Sequence, residues 1–145
     1  MLAELVATSA AGVFAGAAAY ISLVEHPARL SCGVELAVTE WKPSYRRATW
    51  MQAPLALVGS ISALTVWWLG RDLAWLVGGL LLLLIVPFTL IVIMPTNKSL
   101  QSQELDLRSE RAASLLRRWG HLHAVRSVLS GAAFLIFLLR LTITH

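Results

Sequence analysis

Two histidines and an arginine carry the proton chemistry open to this chain. His26 lies in the run Val24-Glu25-His26-Pro27-Ala28-Arg29, and His123 and Arg126 lie in Trp119-Gly120-His121-Leu122-His123-Ala124-Val125-Arg126. Imidazole titrates near neutrality, so His26 and His123 suit general acid–base work. Arg126 offers a fixed cation for a developing oxyanion. On a helix Trp119, His123 and Arg126 fall at i, i+4 and i+7 and share one face, while His121 turns to another. Tyr45, Thr49 and Gln52 repeat that spacing, and Asn97 adds an amide. The candidate catalytic residues are therefore His26, His123 and Arg126. The candidate substrate-binding residues are Glu25, Arg29, Tyr45, Gln52, Asn97 and Trp119.

Each of these side chains has a plainer reading beside the chemical one. Thirteen residues separate Arg126 from Arg140, about 20 Å of helix. That is too short to span a membrane, so either Arg126 sits inside the boundary facing its neighbours or both arginines snorkel to the interfaces. A buried Arg126 needs an anionic partner, either Glu25 or a bound anionic substrate. The two histidines can be interfacial residues bonded to backbone. They can also ligate haem or a metal, but two His and one Glu without a tight motif define no metal centre, and no cofactor is assigned. Asn97 can be a helix cap, and Tyr45 and Gln52 can be packing hydrogen bonds between helices.

What must position these residues is a set of four apolar stretches. Residues 2–24 carry one charge, Glu4; residues 50–69 and 73–94 carry none; residues 120–139 carry Arg126 alone. Each reaches the roughly 20 residues needed to cross a hydrocarbon core about 30 Å thick. The chain is 57% hydrophobic and 14% charged, well below the roughly 25% charged of soluble domains. Its mean hydropathy is +0.70. The expected fold is all-α: one integral membrane four-helix bundle filling the chain. No basic segment precedes the first stretch, so a retained helix is expected there rather than a cleaved signal.

Charge placement sets the topology. The first loop holds Arg29, Lys42, Arg46 and Arg47, and the third holds Lys98, Arg108, Arg111, Arg117 and Arg118. The middle loop holds Arg71 alone, beside Asp72, in the tight turn Gly70-Arg71-Asp72. Loops one and three are therefore expected in the cytoplasm of a cell-membrane protein, with both termini on the other side. This accounts for the net charge of +4 and leaves nothing for nucleic acid to explain. Cys32 is the only cysteine, which excludes an intrachain disulfide; it reads as a small apolar filler.

Several local features are expected to serve folding. Gly12 and Gly16 form a GxxxG that lets helices approach closely, within the bundle or across a homodimer. Pro87 is expected to kink span three. Trp50, Trp67, Trp68 and Trp75 read as an interfacial belt. Leu30, Val34 and Trp41 suggest that part of loop one lies at the interface. Lys42-Pro43-Ser44 reads as the start of helix two, and Thr96-Asn97 as a cap before a new helix. Residues 99–118 read as an extension of helix four.

The ordered set of motifs resembles the anthrone oxygenase-like family of small four-span membrane proteins. The matching pieces are Gly12–Gly16, Glu25-His26-Pro27-Ala28-Arg29, Trp41 with Tyr45-Arg46-Arg47-Ala48, Gln52, Pro95-Thr96-Asn97-Lys98-Ser99-Leu100, and Trp119 with His121 and His123-Ala124-Val125-Arg126-Ser127. The resemblance implies oxidation of polyketide anthrones to anthraquinones without a bound cofactor, on an apolar small molecule met in the lipid bilayer. Beside it stand two other readings. One is a non-enzymatic accessory or transport protein in which a Glu25–Arg126 pair latches helix one to helix four. The other is a haem or metal protein using His26 and His123.

Overall fold

The computed structural model describes residues 1–70 and 72–144. Arg71 lies outside the described residues. Four helices are long and apolar enough to cross a membrane: α1 (Leu2–Ser31), α2 (Val34–Gly70), α3 (Leu73–Gln101) and α4 (Glu110–Thr144). The described connectors are short, so successive helices run antiparallel. α1 packs on α2 and α4, and α3 packs on the same two, which closes a four-helix ring. Gly33 makes the α1–α2 turn at φ +91°, a conformation that favours glycine. Asp72 starts α3 by accepting the Ala74 N–H at 3.0 Å.

The middle of the bundle is filled by small residues and a few rings. Ala7, Ala11, Phe14, Ala56, Ala63, Leu82, Ile85, Ala133 and Phe137 are buried together. Gly12 is used inside the bundle: a methyl there would stand 2.8 Å from the Phe134 ring, whereas Gly16 faces open space. Trp75, expected in the interfacial belt, is instead buried and stacked on Phe137 at 4.9 Å. Trp50 and Trp68 are exposed, as a belt requires.

The helices overrun the expected spans, and most corrections follow from this. α2 starts at Val34, so Pro43 lies inside a helix that is about 55 Å long. The extension is held by its own apolar face. Ala37, Val38 and Trp41 are buried against Leu100, Ala112, Leu116 and Trp119, so Trp41 is core rather than an interfacial residue. α3 runs on through Asn97 to Gln101, so Asn97 caps nothing, and α4 begins only at Glu110. Cys32 is exposed in the α1–α2 turn rather than filling a core.

α1 and α3 each contain a π turn, at Ile21–Glu25 and Thr89–Ile93. Each precedes a proline, Pro27 and Pro95. A proline ring collides with the carbonyl four residues back, here that of Leu23 or Ile91. Both carbonyls lie inside the wider turn, which closes from the His26 N–H to the Ile21 carbonyl and from the Met94 N–H to the Thr89 carbonyl. In α3 the hydrogen bonding stays α-helical through Pro87, and the π turn follows at Thr89–Ile93.

Candidate functional site

The polar side chains gather where the two π turns face α2 and α4. On α4, Trp119, His123 and Arg126 share a face as their spacing requires, and all three line one small niche. Tyr45, Thr49 and Gln52 of α2 line it from the other side, with Arg29 and Ser44. The niche is about 10 Å³, room for a single water. Tyr45, Thr49, Gln52 and Arg126 also border a second cavity of about 130 Å³. Its remaining walls are Phe14, Ala53, Ala56, Ile85, Val86, Thr89, Leu90 and Met94, nearly all apolar. Ala53 and Leu90 are exposed, so this cavity opens between α2 and α3 on the outer surface of the bundle. A larger polar cavity of about 530 Å³ lies around residues 98–111, away from both histidines.

Arg126 is 9% exposed and donates to Gln52 Oε1 at 2.7 Å. Its Cζ stands 5.5 Å from the Phe14 ring centroid. No described carboxylate pairs with it, and its Nε has no partner. Gln52 Nε2 is likewise buried without a partner. The expected Glu25–Arg126 pair does not form. Glu25 is one helical turn from Arg29 and bonds to it instead, also accepting from Ser44 Oγ at 2.6 Å. Arg29 further meets Glu40 Oε2 at 2.5 Å and Ser44 Oγ at 3.2 Å. This closed network ties α1 to α2 and leaves Arg126 unneutralised, so the latch between Glu25 and Arg126 is overturned.

The two histidines occupy different settings around Trp119. His26 Nε2 stands 3.1 Å from the Leu116 carbonyl. A carbonyl only accepts, so Nε2 carries the proton and Nδ1 keeps a buried, unpartnered lone pair. The ring closes on Gly120, where a methyl would stand 2.6 Å from Nε2. His123 is 2% exposed, and its Nδ1 meets Ser22 Oγ at 3.0 Å. The rings of His26 and His123 lie 5.1 Å and 4.8 Å from the Trp119 ring. Trp41 meets the same indole edge-on at 5.7 Å. Trp119 is thus packed between both histidines and Trp41 while it lines the niche. Tyr45 is stacked on Trp41 at 4.9 Å, and its hydroxyl accepts from Asn97 Nδ2 at 3.0 Å. Asn97 therefore stands behind Tyr45 and does not border either cavity.

Ser22, Gly120 and Ser127 also shape this site, although the sequence assigns them no role: Ser127 enters only as the end of a motif and Gly120 only within a run. A serine inside an apolar span ordinarily bonds its own helix's backbone, so Ser22 and Ser127 carry little signal in the sequence. Among the described residues, no three His, Cys, Asp or Glu side chains cluster as metal ligands would.

No curated protein and no solved structure matches the chain. A family model described as anthrone oxygenase matches residues 41–136. The match covers most of α2, all of α3 and most of α4, including Tyr45, Gln52, Asn97, Trp119, His123 and Arg126, while the π turn and His26 of α1 lie outside it. Spanning well over half of the residues, it places the chain in the anthrone oxygenase family.

Proposed function

We propose that the protein oxidises a flat, apolar phenolic or anthrone-type substrate with dioxygen, using His123 and Arg126. The observation that carries this is the buried Arg126 guanidinium with no described carboxylate beside it, set in the wall of a largely apolar cavity. A lone buried cation is costly to keep, and an anion formed on an apolar substrate is what it suits. Arg126 Nε and Gln52 Nε2 are two unpartnered donors at that wall.

The substrate leaves the lipid between α2 and α3, past Ala53 and Leu90. Its ring lies against Ala56 and Ile85, and its carbonyl oxygen turns to Arg126 and Gln52. His123 takes a proton from the methylene carbon through one water in the niche. The resulting enolate is held by Arg126. It passes electrons to dioxygen, and a carbon–oxygen bond forms to give a peroxide at the same carbon, which takes up one proton. Loss of the second hydrogen as a proton, with cleavage of the oxygen–oxygen bond, leaves a new ketone and one water. One dioxygen is consumed per anthrone, giving one anthraquinone and one water, with no outside reductant. The charge of the basic loops favours the cytoplasmic side of the cell membrane for this end of the bundle.

The test is oxygen uptake by the protein reconstituted in liposomes with anthrone. Uptake equal to anthraquinone formed, and lost in His123→Ala, is the expected result. Equal rates for wild type and His123→Ala would remove His123 from the mechanism, and no uptake by either would end the reading.

A further inference from the structure

Resting on the reading of His123 as the base, we propose that Ser22 and Ser127 are positioning residues that hold His123 in the tautomer whose Nε2 is free to take a proton. The argument comes from the direction of a hydrogen-bond chain. Ser127 Oγ stands 2.9 Å from the Ala18 carbonyl and 3.4 Å from its own helix's His123 carbonyl. Carbonyls only accept, so the single Ser127 hydroxyl proton is spent there. Ser22 Oγ lies 2.8 Å from Ser127 Oγ, and must therefore donate to it. The Ser22 proton is then also spent. His123 Nδ1, 3.0 Å from Ser22 Oγ, has only an acceptor before it and must carry the hydrogen. Any other arrangement sets two lone pairs against each other in a part-buried site.

The chain thus runs from His123 Nδ1–H to Ser22, to Ser127, to the Ala18 carbonyl. Its end is a backbone atom that cannot titrate, so the direction is fixed. Nε2 is left with the lone pair, and the His123 ring lines the niche beside Arg126 and Gln52. During turnover Nε2 gains the substrate proton while Nδ1–H stays bonded to Ser22. No proton needs to travel along the serines; they orient and do not relay. His26 is held the opposite way, with Nε2–H on the Leu116 carbonyl. His26 borders neither cavity, so of the two only His123 is presented to the niche as a base.

Two measurements test this. The first needs no turnover: nitrogen NMR of the ligand-free protein labelled at its four histidines. The His123 signal, identified by its loss in His123→Gln, is expected to report the Nδ1–H tautomer. An Nε2–H tautomer there would overturn the proposal, whatever the protein does with anthrone.

The second is anthrone oxidation by Ser22→Ala, Ser22→Thr and Ser127→Ala. Loss of the acceptor is expected to lower kcat roughly tenfold to a hundredfold at unchanged KM, a share of the 10²–10⁴ that general-base catalysis contributes. Ser22→Thr keeps the hydroxyl and is expected to restore most of the rate. Raising the pH through the substrate's own ionisation should bring Ser22→Ala back toward wild type, because an anion that arrives formed needs no base. A merely structural serine would show no such convergence. If Ser22→Ala does not fold, Ser22→Thr and Ser127→Ala carry the comparison. Full activity in both alanine variants with none in His123→Ala would sink the serines and leave the oxygenase reading standing. Full activity in His123→Ala would instead remove His123 as the base, and the serines' role with it.

Discussion

Replacing Arg126 with methionine separates a catalytic cation from a structural one. The side chain is 91% buried by area, since only 9% is exposed, yet it makes one direct hydrogen bond to protein, to Gln52. A hydrogen bond to a charged group is worth about 1.5–3 kcal/mol. Against that stands the cost of a buried cation without an anion, several kcal/mol even after relaxation. Methionine fills a similar length and keeps the contact with Phe14. The two effects oppose each other, so Arg126→Met is expected to leave stability within about 1 kcal/mol of wild type or to raise it, with Gln52 left needing a partner. Arg126→Met with Gln52→Leu removes that orphan and is expected to be the more stable of the two variants. Activity should move the other way. Losing one preorganised oxyanion donor costs about 10²–10³ in kcat. The assays are reversible unfolding in mixed micelles and oxygen uptake with anthrone. A loss of stability above about 3 kcal/mol, with activity tracking the folded fraction, would refute the reasoning: Arg126 would then be holding the bundle together.

Two further predictions follow from close contacts elsewhere. Gly120→Ala puts a methyl 2.6 Å from His26 Nε2 and 2.7 Å from its Cδ2, so the ring must leave the Leu116 carbonyl. The expected loss is about 1–3 kcal/mol, read by unfolding, and Gly120→Ala with His26→Ala should lose less than the two single changes summed. At the far end of the bundle, partial burial raises the Asp72 carboxyl. The bonds from Arg140 and from the Ala74 N–H outweigh this and hold it below its ordinary value. A depressed folded pKa contributes stability above the unfolded value of about 3.9 and loses it as pH falls through the folded one. The melting temperature of wild type should therefore exceed that of Asp72→Asn at pH 7 and approach it below pH 4, whereas a constant gap would show that the charge is not what Asp72 contributes.

The four spans were legible because lipid leaves a helix no other way to satisfy its backbone. Their ends were not, because nothing obliges a helix to stop where the hydrocarbon stops. Pro43 suited a first turn, yet Ala37, Val38 and Trp41 bury enough surface against Leu116 and Trp119 to carry α2 back to Val34. Asn97 looked like a cap and is an interior residue that reaches Tyr45. The face shared by Trp119, His123 and Arg126 follows from periodicity alone, as does that of Tyr45, Thr49 and Gln52. Pairing across helices does not. Glu25 and Arg126 carry opposite charges, but Arg29 lies one turn from Glu25 on the same helix and takes it first. Ser22 gives no signal in the sequence, because one hydroxyl in an apolar run is ordinarily bonded to its own backbone, as Thr8 and Ser60 are here.

The π turn in α1 has a consequence for how helix meets helix. Ala18, Ser22 and His26 are four residues apart, and they meet α4 in order: Ala18 at Ser127, Ser22 at His123 and Ser127, His26 at Leu116. An unbroken helix of 3.6 residues per turn would carry His26 about 80° round the axis from Ala18 over those two steps. That rotation would swing the ring off the α4 seam toward a neighbouring helix or lipid. A wider turn advances less per residue and takes the drift back, so three contacts stay in one line. The same turn yields space for Pro27, so the histidine can be followed by a proline without breaking the helix. A π turn and its proline are thus one device on α1, and α3 repeats it at Thr89–Ile93 and Pro95, ahead of Asn97. In both helices the device sits at the depth where the polar side chains gather, and in α1 it keeps Ala18, Ser22 and His26 on the α4 seam.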